Sequence, residues 1–143
     1  MLNKVDFKAL AVGVLIFLFS FFAFGFLLVA ALDELFTRMN FDLLSHTNEL
    51  VFEFLLTWFS IFWAGYYTCK MSRKSNLDHS LLLGFVIFAY QFVGTLSSLF
   101  DPQSDPFIIN IMYDGSIIIF SFLGGKLANR NRLKQSSVLE IER

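Results

Sequence analysis

The sequence predicts an all-α fold: a polytopic membrane protein built as a four-transmembrane-helix bundle, with N-terminus and C-terminus cytoplasmic. Three observations predict it. Hydrophobic residues make up 56% of the chain and charged ones only 16%, where soluble domains carry about 25% charged residues. The apolar residues gather in four long runs, and about 20 such residues cross a hydrocarbon core as a helix. Every Lys and Arg except Arg38 falls on one side of the alternation that four crossings create, which is the bias that orients membrane helices. The 143 residues form a single membrane domain. A net charge of −1 provides no general attraction for nucleic acid.

The first predicted helix, 9–32, is uncharged. It is longer than the roughly 7–15 residues of a signal-peptide core, and no small-x-small cleavage site follows it, so it reads as an uncleaved signal anchor. The connection 33–50 is acidic, with Asp33, Glu34, Asp42 and Glu49 against Arg38. Within it Leu35, Phe36, Met39 and Leu43 recur at helical spacing. That spacing fits either an amphipathic helix at the interface or a continuation of the first helix. The second helix, 51–69, carries Glu53 as its only charge before the basic connection with Lys70, Arg73 and Lys74. The third, 80–100, has no charge, and the fourth, 107–125, has only Asp114. Between them Pro102 and Pro106 bracket the turn DPQSDP, because proline cannot continue a helix interior. Ser104 or Asp105 is placed to cap the fourth helix, with Pro106 at its first position. The tail, 126–143, is basic through Lys126, Arg130, Arg132, Lys134 and Arg143, and from Gln135 it is polar and expected to fray.

In lipid, helices associate through small residues that allow close approach and polar residues that bond across. In the second helix Glu53, Thr57, Ser60, Ala64 and Thr68 step by three or four. Ser80, Gly84, Gln91, Thr95 and Ser98 lie near one stripe of the third, and Asn110, Asp114, Ser121, Gly125 and Ala128 near one stripe of the fourth. In the first, Gly13 pairs with Ser20, and Ala23 with Ala30, at seven-residue spacing. Such steps place residues on one face, so Gly84, Ser60, Ala64, Ser121 and Gly125 are expected to pack helix against helix.

Depth sorts the polar groups. At a rise of about 1.5 Å per residue, Asp114 lies ~10 Å below the outer boundary and Gln91 ~13 Å, with Thr57 near the level of Asp114 and Glu53 and Asn110 close to the surface. An intramembrane polar cluster of Asp114, Gln91, Glu53, Thr57 and Asn110 is therefore expected. A charged carboxylate at mid-helix costs about 2.5–3.5 kcal/mol on the insertion scale and marks a functional-site candidate. No Lys or Arg lies at its depth. Asp114 is thus either protonated and donating a hydrogen bond, with Gln91 as a partner, or ionised in a hydrated cavity.

Catalytic chemistry finds no foothold. His46 and His79 are predicted on opposite sides of the membrane, so they share no metal, and neither has ligand-spaced partners. No Walker, GxGxxG, HExxH or GxSxG pattern occurs. No serine is expected to have a histidine at its own depth to act as base. The expectation is therefore no enzyme, no cofactor and no metal. Cys69, the single cysteine, is expected as a free thiol. Trp63, Tyr66 and Tyr67 suit an interfacial aromatic belt. Lys70, Arg73, Lys74, Arg130 and Arg132 first serve orientation, and they are also placed for contact with anionic lipid.

Two cytoplasmic helix ends, AGYYTCKMSRK and GGKLANRNRLK, each have small residues followed by a basic cluster, and NLDHSLLLGFVIF follows the first. This layout resembles a broad group of small, uncharacterised four-helix bacterial inner-membrane proteins. The resemblance implies the bacterial inner membrane as location and no particular activity. Small multidrug transporters also have four short helices, but they carry an essential glutamate in the first, where this chain has no ionisable group. Two functions follow as expectations. One is a non-enzymatic accessory or interaction protein acting through helix–helix contacts, within a larger membrane complex or a homo-oligomer. The other is a homo-oligomeric small transporter or channel subunit using Asp114 as proton or cation site.

Overall fold

A computed structural model describes residues 6–39, 46–72, 77–98 and 107–141, with side-chain surroundings for 6–27, 51–72, 77–96 and 107–133. Four helices pack as a bundle: α1 (Phe7–Met39), α2 (His46–Met71), α3 (Leu77–Ser98) and α4 (Phe107–Ile141). The helix α2 touches the other three, α3 also touches α1 and α4, and no contact joins α1 to α4 among the described residues. The start of α1 meets the start of α3 through Asp6 and His79, while Gly13 of α1 lies on Thr68 near the end of α2. α1 and α3 therefore run one way, and α2 and α4 the other.

The helices outlast the apolar runs that predict them. α1 continues through Met39, so the continuation, not a separate interfacial helix, describes 33–39; residues 40–45 lie outside the described residues. α2 begins at His46 rather than at 51. α4 runs to Ile141 as one 35-residue helix, so its basic tail is helical well past Gln135. The cause is the same in each case. Charged residues end a hydrophobic run, yet Glu, Lys, Arg, Gln and Leu propagate a helix, and no Gly or Pro interrupts LDELFTRM or KLANRNRLKQ. The proposed caps and prolines of 101–106 lie outside the described residues.

Among the described residues three helices, where four are expected, are long and apolar enough to cross a membrane by composition: α1, α3 and α4. The exception is α2, diluted by Glu53 and by its Thr, Ser, Trp and Tyr residues. It is also the central helix, and its threonine and serine side chains between 57 and 68 are turned inward. Thr57, Ser60, Ala64 and Thr68 are fully buried, as are Ser80 and Ser121 from the facing helices. Outside, Phe19 is 75% exposed, Phe26 78% and Tyr90 83%. Polar residues inside and bulky apolar ones outside invert the pattern of a soluble domain and match a helical bundle in a bilayer.

Close approach is set by glycine at one crossing. A Cβ at Gly124 would press on the carbonyl oxygen of Phe62 and lie 2.9 Å from the backbone nitrogen of Tyr66; one at Gly65 would press on the carbonyl of Ser121. Backbone meets backbone from both sides, so no side chain fits between α2 and α4 at this crossing. The α3–α4 crossing follows one turn away, where Gly84 lies against Ile118 and Ser121, and Gly125 against Ser80. Ile61, Leu83, Ile87 and Ile117 fill the centre around these contacts.

Candidate functional site: two polar layers

Away from the glycine crossing, polar side chains form two layers, one near each end of the bundle. In the layer near the start of α4, Asp114 is 2% exposed. Its Oδ2 accepts a hydrogen bond of 2.7 Å from the Thr95 hydroxyl, which joins α3 to α4. The partner of Asp114 is thus Thr95 rather than Gln91. Next to it the Tyr113 hydroxyl donates to Thr57 Oγ1, joining α4 to α2. The Tyr113 ring stacks on Phe54 with centroids 4.3 Å apart. A turn along, Trp58 Nε1 donates to Ser116 Oγ at 2.6 Å, and that hydroxyl donates to the Tyr113 carbonyl. Trp58 also stacks on Phe120.

Of the expected cluster, Thr57 and Gln91 lie beside Tyr113 and Asp114 lies one residue on. Gln91 is half-buried, and its Oε1 is enclosed without a hydrogen-bond partner. Glu53 is exposed on α2 within electrostatic range of Tyr113, and Asn110 is half-buried one turn before Asp114. The expected packing residues Ser60, Ala64 and Ser121 are fully buried. Ser121 also donates to the Ser80 carbonyl at 2.6 Å, and Ser60 Oγ has no hydrogen-bond partner.

The second layer closes the other end and joins all four helices. Asp6 caps α1, its carboxylate accepting from the Ala9 N–H. The Asp6 N–H donates to His79 Nε2 at 2.9 Å, and His79 Nδ1 lies 3.3 Å from Ser72 Oγ just past α2. Arg132 of α4 reaches the Ser72 carbonyl at 3.5 Å. His79 therefore does share its level with a serine, contrary to the expectation from sequence. Ser72 and His79 are close in sequence, at the end of α2 and the start of α3, so both stand at one end of the bundle. The geometry still does not make a nucleophile. A ring nitrogen that accepts from a backbone N–H carries the lone pair, so the neutral imidazole holds its proton on Nδ1. Nδ1–H then donates to Ser72 Oγ and cannot take its proton.

Sequence reasoning missed Tyr113, Trp58 with Ser116, and His79 with Ser72. Aromatic side chains in a membrane helix read as lipid-facing, and only the lateral order of helices turns Tyr113 and Trp58 inward. Cys69 is a free, buried thiol. Trp63, Tyr66 and Tyr67 form a contiguous aromatic group, with Trp63 and Tyr66 ring centroids 5.5 Å apart. Among the described residues no group of three His, Cys, Asp or Glu is placed to hold a metal ion. No protein-family model matches the chain, and neither a curated protein nor a solved structure gives a significant match.

Proposed function

We propose that this small helical membrane protein crosses the bilayer four times, with both termini cytoplasmic, and acts through helix contacts as a non-catalytic accessory or scaffold protein of a bacterial inner membrane. For the fourth crossing the support is the course of α2. It runs parallel to α4 from Thr57 beside Tyr113, through Gly65 on Ser121, to Cys69 beside Gly125. A helix that accompanies a membrane-spanning one over that length shares its depth. The cation bias then orients all four. Labelling of cysteines introduced at 73–76 by a membrane-impermeant reagent in intact cells would sink this topology.

The observation that carries the functional reading is the bond between Asp114 and Thr95. The one acid in the middle of α4 is enclosed and spent on a neighbouring helix. Thr57, Tyr113, Trp58 and Ser116 likewise bond to one another. Such groups hold helices together, and the apolar outer surface is left for lipid and protein neighbours. The test is affinity purification from membranes in mild detergent. A reproducible membrane-protein partner, retained by Asp114→Asn, is expected; a chain that always purifies alone counts against the reading.

One observation favours a second reading, the oligomeric transporter or channel subunit. Gln91 Oε1 is enclosed without a partner in the layer that holds Asp114. Proton or cation flux in proteoliposomes that disappears with Asp114→Asn would select it.

A further inference from the structure

We infer that the cleft between the end of α2 and residues 128–132 of α4 is a binding site for a phosphate group. The cleft holds about 220 Å³ and is lined by Tyr66 and Lys70 from α2 and by Asn129, Asn131 and Arg132 from α4. A water occupies about 30 Å³ of liquid, so the space admits a group several times larger. Among the described residues its lining includes two cations and no carboxylate. The cations come from different helices and face one space, an arrangement that is repulsive when empty and is relieved by an anion between them.

Each cation is held in place. The Lys70 ammonium lies 5.9 Å from the Tyr66 ring centroid and 6.0 Å from that of Tyr67, the outer range of cation–π attraction. Arg132 is tethered through the Ser72 carbonyl, which uses one of the five N–H donors of its guanidinium. The spacing in ANRNR matters here. Asn129, Asn131 and Arg132 line the cleft, while Arg130, between them, does not. A planar carboxylate is satisfied by one guanidinium. A tetrahedral phosphate uses donors from several directions, and charge-assisted bonds of this kind are the stronger ones. The sequence places Lys70, Arg73, Lys74, Arg130 and Arg132 as a diffuse basic surface; Arg73 and Lys74 lie outside the described residues, and of the other three Lys70 and Arg132 line the cleft.

Phosphate could come from a lipid head group or from solution. The lipid source rests on the membrane depth proposed above for this end, whereas binding of inorganic phosphate does not, so the two ideas fail separately. The experiment uses the full chain in detergent and measures thermal unfolding and lipid retention by native mass spectrometry. The probes are dioleoylphosphatidylglycerol, dioleoylphosphatidylcholine, and sodium phosphate against sodium chloride at matched ionic strength. A midpoint raised by phosphatidylglycerol alone supports a lipid phosphate, and one raised by inorganic phosphate supports a soluble source. Retention or affinity is expected to fall about tenfold in Lys70→Gln and further in Lys70→Gln/Arg132→Gln, the loss expected of a charge-assisted bond. Lys126→Gln/Arg130→Gln, with equal charge removed outside the cleft, is expected to leave it unchanged. Lys70 is exposed and makes no hydrogen bond to the Ser72 link, so the single variant reports binding without loss of fold. No response to any probe, or equal losses in the two paired variants, would overturn the site.

Discussion

The backbone N–H of Asp6 donates to the imidazole of His79, 73 residues away in the chain. Through Ser72 and Arg132 the same ring is linked to α2 and α4, so a single side chain helps to hold one end of every helix. Replacing it removes the bonds to Asp6 and Ser72 together, at a cost of about 1–3 kcal/mol. His79→Ala is expected to lower the unfolding midpoint in detergent and to speed amide exchange over the first turns of α1. Unchanged exchange there would mean that Asp6 and His79 are neighbours without being coupled.

The glycine crossing yields a paired prediction. At Gly124 a methyl group meets the backbone of α2, which cannot rotate away. Gly124→Ala must push α2 and α4 apart, and overpacking of this sort costs about 1–3 kcal/mol. Around Gly94 and Gly115 nothing among the described residues lies within 4 Å of the added Cβ. There alanine brings its higher helix propensity, about 1 kcal/mol over glycine in soluble helices, so Gly94→Ala and Gly115→Ala are expected to be neutral or stabilising. Unfolding in graded denaturing detergent checks the contrast, and an equal effect at all three positions would show that the approach at Gly124 is not tight.

Tyr113 separates ring from hydroxyl. Tyr113→Phe keeps the stack on Phe54 but removes the donor to the buried Thr57 hydroxyl. A loss of about 1 kcal/mol is expected. Thr57→Val should cost a similar amount and add little in the Tyr113→Phe background, because both remove the same bond. Full additivity in the unfolding midpoints would place the hydroxyl bond elsewhere.

Much of the fold is legible because membrane helices write their inner faces in small and polar residues. Thr57, Ser60, Ala64 and Thr68 step along α2 and are all buried, as are Gly84 and Thr95 on α3 and Asp114, Ser121, Gly125 and Ala128 on α4. Periodicity gives the face and depth of each residue but not which helix stands opposite. Asp114 could therefore be placed at its level, while its partner, Thr95, could not be chosen over Gln91. The helix ends were underestimated for a different reason. Hydropathy marks where lipid could end, and backbone hydrogen bonding continues past it through residues such as Glu34 and Lys134. The link from His79 to Asp6 left no trace in sequence, because neither residue lies on a periodic stripe and each looks like ordinary helix-start chemistry.

The bond between Thr95 and Asp114 decides between glue and ion site. If the pair serves to join α3 and α4, then Thr95→Val, Asp114→Leu and the double variant should reveal a coupling energy of about 0.6 kcal/mol, the average for hydrogen bonds between membrane helices, and at most about 1.7 kcal/mol. Asp114→Asn should retain most of the stability, since its carbonyl oxygen still accepts from the Thr95 hydroxyl. An ion or proton site makes the opposite demand. There the charge itself matters, so Asp114→Asn would abolish flux while Thr95→Val merely perturbed it. Thermal unfolding of the four proteins of the cycle in one detergent gives the coupling. A value indistinguishable from zero, with flux lost in Asp114→Asn, would move Asp114 from the structural role to the transporting one. A clear coupling with stability preserved in Asp114→Asn would leave the carboxylate as a bond between helices, because an amide that can accept but cannot ionise would then serve the same purpose.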